Sequence, residues 1–269
     1  MADLSRLSFN QMTAGKTSLR EVIAACIHHG IEWIGPWRHS VGDNPAEWGK
    51  ILRDSGLKVS SLCRGGMFPA ATAKERRERI DDNLRAIDEA AAIGTDLLVL
   101  VNGPAPDKNI DGARQMVADG IAAIVEHAKQ AGVRIGVEPL HPMFAGDRSV
   151  IVTMAEANAI AEQFRPGIVG LVVDVYHVWW DPKVYRQIER AGERIFGFHV
   201  SDWIVPLPDT LMGRGLMGDG VIELRRLREA IERAGYKGPI EVEIFNEALW
   251  SQPLGEIVGS VVERFREWV

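Results

Sequence analysis

Val169-Gly-Leu-Val-Val-Asp174 is a short apolar run closed by a carboxylate, and the chain repeats the plan on both sides of it. Arg134-Ile-Gly-Val-Glu138 comes before it; Ile195-Phe-Gly-Phe-His199 and Ile240-Glu-Val-Glu243 come after. Runs this short and this rich in Val, Ile and Phe read as parallel strands buried on both faces. An ionisable group at the last position of a buried strand is costly unless something compensates it. A single such group usually pairs with an arginine or caps a helix. Four in succession at equivalent strand ends, Glu138, Asp174, His199 and Glu243, instead form a donor set for one hard to borderline divalent cation.

Outward from these four runs, strand-like and helix-like segments alternate along the chain. Strands are expected at 7–11, 31–36, 58–63, 97–101, 134–138, 169–174, 195–199 and 240–243. Helical patterns follow them at 18–29, 45–55, 74–93, 110–130, 153–163, 182–189, 223–234 and 254–268. Gly30, Gly56, Gly94, Gly132 and Gly235 each stand where a helix must turn back toward the sheet. Eight βα units in this order predict a (β/α)8 TIM barrel, one domain over residues 1–269, a length usual for that fold. An open doubly wound sheet would need a glycine-rich phosphate loop after the first strand. Asn10-Gln-Met-Thr-Ala-Gly-Lys-Thr17 lacks the first glycine of such a loop.

Composition narrows the function. Hydrophobic residues make up 46% and charged residues 25%, as in an ordinary globular domain. A net charge of -6 argues against a sequence-independent nucleic-acid binder, which needs a basic face, but leaves room for a local basic patch around a phosphorylated substrate. Cys26 and Cys63 suggest neither a disulfide framework nor a thiolate zinc site; Cys26 falls in a helical pattern and reads as core. Met1-Ala-Asp-Leu-Ser-Arg6 has no apolar leader core and no apolar run reaches the length of a membrane span, so the expected location is the cytoplasm, without membrane contact.

Glu138-Pro-Leu-His141, Val173-Asp-Val-Tyr-His177, Phe198-His-Val-Ser-Asp202, Gly218-Asp-Gly-Val-Ile222 and Glu241-Val-Glu243 resemble the sugar phosphate isomerase/epimerase family with the xylose-isomerase-like barrel. The resemblance covers nearly the whole chain. It implies one divalent ion, manganese first and magnesium, cobalt or zinc as alternatives, on residues matching Glu138, Asp174, His199 and Glu243. It also implies that Glu138 and Glu243 exchange protons with the carbon beside the substrate carbonyl, and that His177 contacts substrate oxygens. The chemistry suits the donor set independently. A cation holding a carbonyl and the adjacent hydroxyl acidifies the carbon between them, and two carboxylates can then move its proton.

Further candidates lie in the loops after the strands. His141 is a candidate general base, or else a loop histidine held by a backbone carbonyl. His39 follows the second strand and could reach substrate. Arg64 and Arg214 are flanked by glycines and could bind a phosphate or carboxylate. The epimerase pattern carries an arginine a few residues after the histidine ligand. Here 201–208 reads Ser-Asp-Trp-Ile-Val-Pro-Leu-Pro, and Arg214 is the candidate replacement. Trp33, Trp37, Phe68, Tyr176, Trp179, Trp180, Trp203 and Trp250 suggest a partly apolar pocket, with Trp37 and Trp203 as substrate contacts.

Three other functions compete with the isomerase or epimerase. Nucleases of the same superfamily need further histidines after the middle strands and an Asp-x-His beyond the seventh. Here strand four ends in Val101-Asn-Gly-Pro104, strand three in Cys63-Arg64, and no Asp-x-His follows His199. A lyase acting on a keto-sugar or 3-oxo-glycoside shares every metal ligand and stands as the alternative. A non-catalytic sugar-binding barrel predicts a broken ligand set, and the set is whole. The expected partner is a small sugar-derived molecule, and assembly as a homo-oligomer is compatible with the loops.

Overall fold

The computed structural model of the chain describes residues 4–269, so the first three residues of the N-terminal segment read above lie outside the described region. The strands are β1 (Leu7–Asn10), β2 (Trp33–Gly35), β3 (Lys58–Val59), β4 (Leu62–Gly66), β5 (Leu97–Val101), β6 (Arg134–Glu138), β7 (Val169–Asp174) and β8 (Ile195–Val200). A short antiparallel pair, β9 (Asp202–Trp203) and β10 (Arg214–Gly215), precedes β11 (Ile240–Val242). All but that pair form one sheet in the order β3-β2-β1-β11-β8-β7-β6-β5-β4, with every neighbour parallel. A parallel bridge from Trp37 to Cys63 joins the two sides, so the sheet curls into the expected TIM barrel.

The third barrel strand departs from the expected 58–63. It breaks into β3 and β4 at Ser60 and Ser61, whose hydroxyls both donate to Glu241 at 2.7 and 3.0 Å. The Ser60 amide still donates to the Ile34 carbonyl at 3.0 Å, so the backbone stays beside β2 while both hydroxyls turn to a side-chain acceptor inside the barrel. Further along, the register against β5 shifts between Cys63 and Gly65, which leaves Arg64 exposed beside the pairing.

The helices start where their caps dictate. Ser18, Thr72 and Thr153 each close a capping box with the glutamate three residues on, so the helices run Leu19–His28, Ala73–Ile93 and Met154–Ala161. Two layers of apolar packing result. Leu97, Val99, Val172 and Phe196 fill the barrel below Cys63, while the larger core lies between the sheet and the surrounding helices. Cys26 belongs to that outer core. No described helix is long and apolar enough to cross a membrane.

Candidate metal centre

Strands β6, β7, β8 and β11 are consecutive in the sheet, so their last residues come side by side. Asp174 is in register with His199, and the Glu243 amide continues the ladder by donating to the Val200 carbonyl at 3.1 Å. One donor atom from each of Glu138, Asp174, His199 and Glu243 lies within 4.8 Å of all the others. All four residues are buried, and Asp174 is fully so.

The polar inventory of this cluster is incomplete in a particular way. Glu138 Oε1 and both nitrogens of His199 are buried without a hydrogen-bond partner. Native interiors rarely leave such atoms orphaned. His199 Nδ1 lies 3.6 Å from Glu138 Oε1 and 3.9 Å from Glu243 Oε2, and therefore faces the carboxylates. A divalent cation fits: it would take the lone pairs of Glu138 Oε1 and His199 Nδ1 and offset the carboxylate charge. Burial pushes the Glu138 carboxyl well above the usual range, and Glu243 and Asp174 nearby push it further. Burial raises Glu243 too, against the pull of Arg214 and His199. Asp174 is held below the usual range despite its burial, chiefly by Arg214.

Arg214 enters the site on the β9–β10 pair, well beyond the position of the family arginine in the sequence. Its NH1 donates to Asp174 Oδ2 at 2.7 Å and to Glu243 Oε2 at 3.1 Å. The guanidinium is 4.6 Å from the Tyr176 ring centroid and 5.1 Å from that of Phe245. His177 stands beside it, with Nε2 at 3.2 Å from Arg214 NH2 and Nδ1 accepting the His141 amide at 3.2 Å. Burial lowers the His177 pKa to about 3, so its imidazole is neutral.

A small cavity of about 50 Å³ lies over the cluster, walled by Trp37, Cys63, Arg64, His177, Arg214 and Glu243 among others. His141 and Trp203 stand one layer further out. Their rings lie 5.0 Å apart, and Trp203 packs in turn on Tyr176 and Trp179. His141 Nδ1 accepts the Met143 amide at 3.2 Å, so a backbone amide holds the ring at this nitrogen, where the alternative to a general base had a carbonyl. Accepting there fixes the neutral tautomer with its proton on Nε2, so the ring presents a donor.

Other aromatic residues serve the fold. Trp33 opens its strand instead of closing it, and its Nε1 donates to the Ser5 carbonyl. Phe68 is buried under Gly120, where a Cβ would come within 2.2 Å of its ring. The segment Gly218-Asp-Gly220 is also structural. Buried Asp202 accepts the amides of Gly218 at 2.9 Å and Ile222 at 3.0 Å, and a Cβ on Gly220 would meet the Trp203 carbonyl at 2.2 Å. Asp202 thus clamps the loop that delivers Arg214.

Sequence reasoning passed over Glu241. It sits inside the barrel one layer below Glu243, accepting from Asn10 Nδ2 at 2.6 Å as well as from Ser60 and Ser61. Gly35 makes room for it, since a Cβ there would lie 2.0 Å from Glu241 Oε1. Its Oε2 lies 3.7 Å from His199 Nε2, the nitrogen turned away from the other ligands. A carboxylate behind a ligating imidazole fixes its tautomer and orientation, and losing it typically weakens metal binding about 10–100-fold. Glu241→Gln should show a loss of that size when manganese is titrated calorimetrically, with a lower metal-free melting temperature as well, because one acceptor oxygen becomes a donor facing Asn10 or the two serines. Unaltered affinity in a folded variant would mean that Glu241 does not orient His199.

A buried three-carboxylate, one-imidazole cluster at the carboxyl ends of a parallel barrel defines the class of protein. The chain belongs to the xylose isomerase-like TIM barrel family, whose model matches residues 23–268. Its sequence is 29% identical over 244 residues to 3-dehydroshikimate dehydratase of Pseudomonas putida, covering 87% of this chain and 36% of that protein. The chain thus spans about a third of that relative's length. It is 22% identical over 222 residues to L-ribulose-5-phosphate 3-epimerase UlaE of Escherichia coli O1:K1 / APEC, covering 80% of this chain and 72% of that one. Among solved structures, protein SMc04130 from Sinorhizobium meliloti 1021 superposes with a TM-score of 0.96 at 48% identity, covering 98% of both chains. The IolI protein, solved with a bound zinc atom, shares the fold at a TM-score of 0.85 and 20% identity, over 97% of both chains.

Proposed function

We propose that this chain is a divalent-metal-dependent enzyme, a single catalytic domain, that abstracts a proton beside the carbonyl of a small sugar-like substrate as an isomerase or epimerase. The observation that carries this is the pair Glu138 and Glu243. They lie at opposite ends of the row of four strands, both facing His199, and burial raises the proton affinity of each. Glu138, Asp174, His199 and Glu243 would hold the ion. Three carboxylates to one imidazole favour manganese or magnesium over zinc. When bound, the ion supplies Lewis-acid polarisation of the carbonyl and its neighbouring hydroxyl.

The chain's own residues do the rest. One glutamate takes the proton from the carbon and the other returns one, and burial raises the proton affinity of each above that of a free carboxylate. Arg214 and neutral His177 bind substrate oxygens at the cavity wall, with Trp37 beside them. The ring of Trp203 supports His141, which offers its Nε2 proton to an oxygen of the substrate.

A second reading, elimination from a keto-sugar, draws on the greater identity with the dehydratase and on that same His141 donor, which suits a departing hydroxyl. Proton NMR in deuterated water separates the two, using manganese-loaded protein with D-fructose, L-ribulose 5-phosphate and 3-dehydroshikimate. Deuterium entering the carbon beside the carbonyl with a new sugar isomer supports the isomerase. A dehydrated product moves the assignment to a lyase. No exchange in any substrate would sink both.

A further inference from the structure

The cavity over the four ligands, at about 50 Å³, is far smaller than the roughly 300–1,000 Å³ usual for small-molecule sites. A sugar-sized substrate with its carbonyl end at the glutamates must therefore extend beyond it. Trp37, Cys63 and Arg64 are shared with a second pocket of about 350 Å³, whose outer wall includes Arg38, His39 and Arg79.

The charges of this second pocket do not cancel. Its one lining carboxylate, Asp82, is already bound by Arg38 NH1 and NH2 at 3.0 and 3.2 Å and by Arg85 at 3.0 Å. Arg38 also spends its Nε and NH2 on Glu89, at 2.5 and 2.9 Å. Arg64 and Arg79 pair with no carboxylate among the described residues. Two exposed guanidinium groups without a carboxylate partner thus line one pocket of a protein whose net charge is -6. Trp37 Nε1 is committed to Asn10 Oδ1 at 3.0 Å, which fixes the ring between this pocket and the metal cavity.

We propose that this second pocket binds the anionic group of the substrate, a carboxylate or a phosphate, with Arg64 and Arg79 as its ligands. The proposal rests on the function above and gives it a substrate class: a keto compound that carries an oxyanion at the end remote from the reacting carbons. Guanidinium forks suit both oxyanions, and their affinity for one over the other sets the source.

The test titrates magnesium-saturated protein with inorganic phosphate, and separately with acetate, by calorimetry at constant ionic strength. Saturable binding of at least one anion is expected, weakened about tenfold in Arg64→Ala and in Arg79→Ala, the loss of one charge-assisted contact. Arg77→Ala, on the same helix but outside the pocket wall, should bind like wild type. Tighter phosphate binding points to a phosphorylated substrate, and tighter acetate binding to a carboxylate. No saturable binding, or the same binding in all variants, overturns the proposal. Magnesium affinity, measured on the same samples, should be unchanged by the arginine variants. Failure of wild type to bind magnesium or manganese, with the anion pattern intact, would remove the metal function and leave the pocket standing.

Discussion

Glu138→Gln should slow deuterium entry beside the substrate carbonyl by about 10²–10⁴-fold, the range expected when a positioned general acid–base is lost. Glutamine keeps the shape and one ligating oxygen but can neither take nor return a proton. The same variant should still bind manganese, though less tightly, because a negative donor has become neutral. Glu243→Gln should behave alike if the two carboxylates share the proton transfer. Exchange at the wild-type rate in Glu138→Gln, with manganese bound, would refute the assignment. Loss of manganese together with exchange would make Glu138 a ligand without showing it to be the base, and exchange rescued at saturating manganese would then decide against acid–base work.

Arg214→Met should produce the largest change in stability. In the metal-free protein the guanidinium is the cation beside two buried carboxylates, Asp174 and Glu243. Removing one partner of a buried ionic cluster usually costs about 3–5 kcal/mol, because the charges left behind have lost their counterion. Methionine roughly fills the space between Tyr176 and Phe245, so the loss should be mainly electrostatic. Urea unfolding, run with and without manganese, checks this. The variant should lose most relative to wild type without metal and much less at saturating manganese, because the bound ion would neutralise the same two carboxylates that the guanidinium does. An equal loss under both conditions would mean that Arg214 acts through its packing on the two rings.

The barrel was legible because its signals are local. Each strand is a short apolar run, several helices open on a capping box within a few residues, and parallel order follows from their alternation. The four metal-binding candidates were legible for the same reason, as ionisable groups ending buried runs. Glu241 left a signal that was not used: residues two apart on a strand face the same side, so it had to lie inside the barrel with Glu243. Trp33 and Phe68 show the converse error. An aromatic near a strand carries no mark of which end it occupies or what covers it.

From sequence alone came the order of the elements, the approximate place of most strands and the chemical type of the donors, because hydrophobic period and capping act over a few residues. Only the tertiary structure decided how the charges are paired. Arg214 meets Asp174 across 40 positions of chain, and Glu241 meets Ser60 across 181 and Asn10 across 231. Contacts at such separations depend on strand register and loop path, and on the space left by residues such as Gly35. These are properties of the closed barrel, and no single segment encodes them.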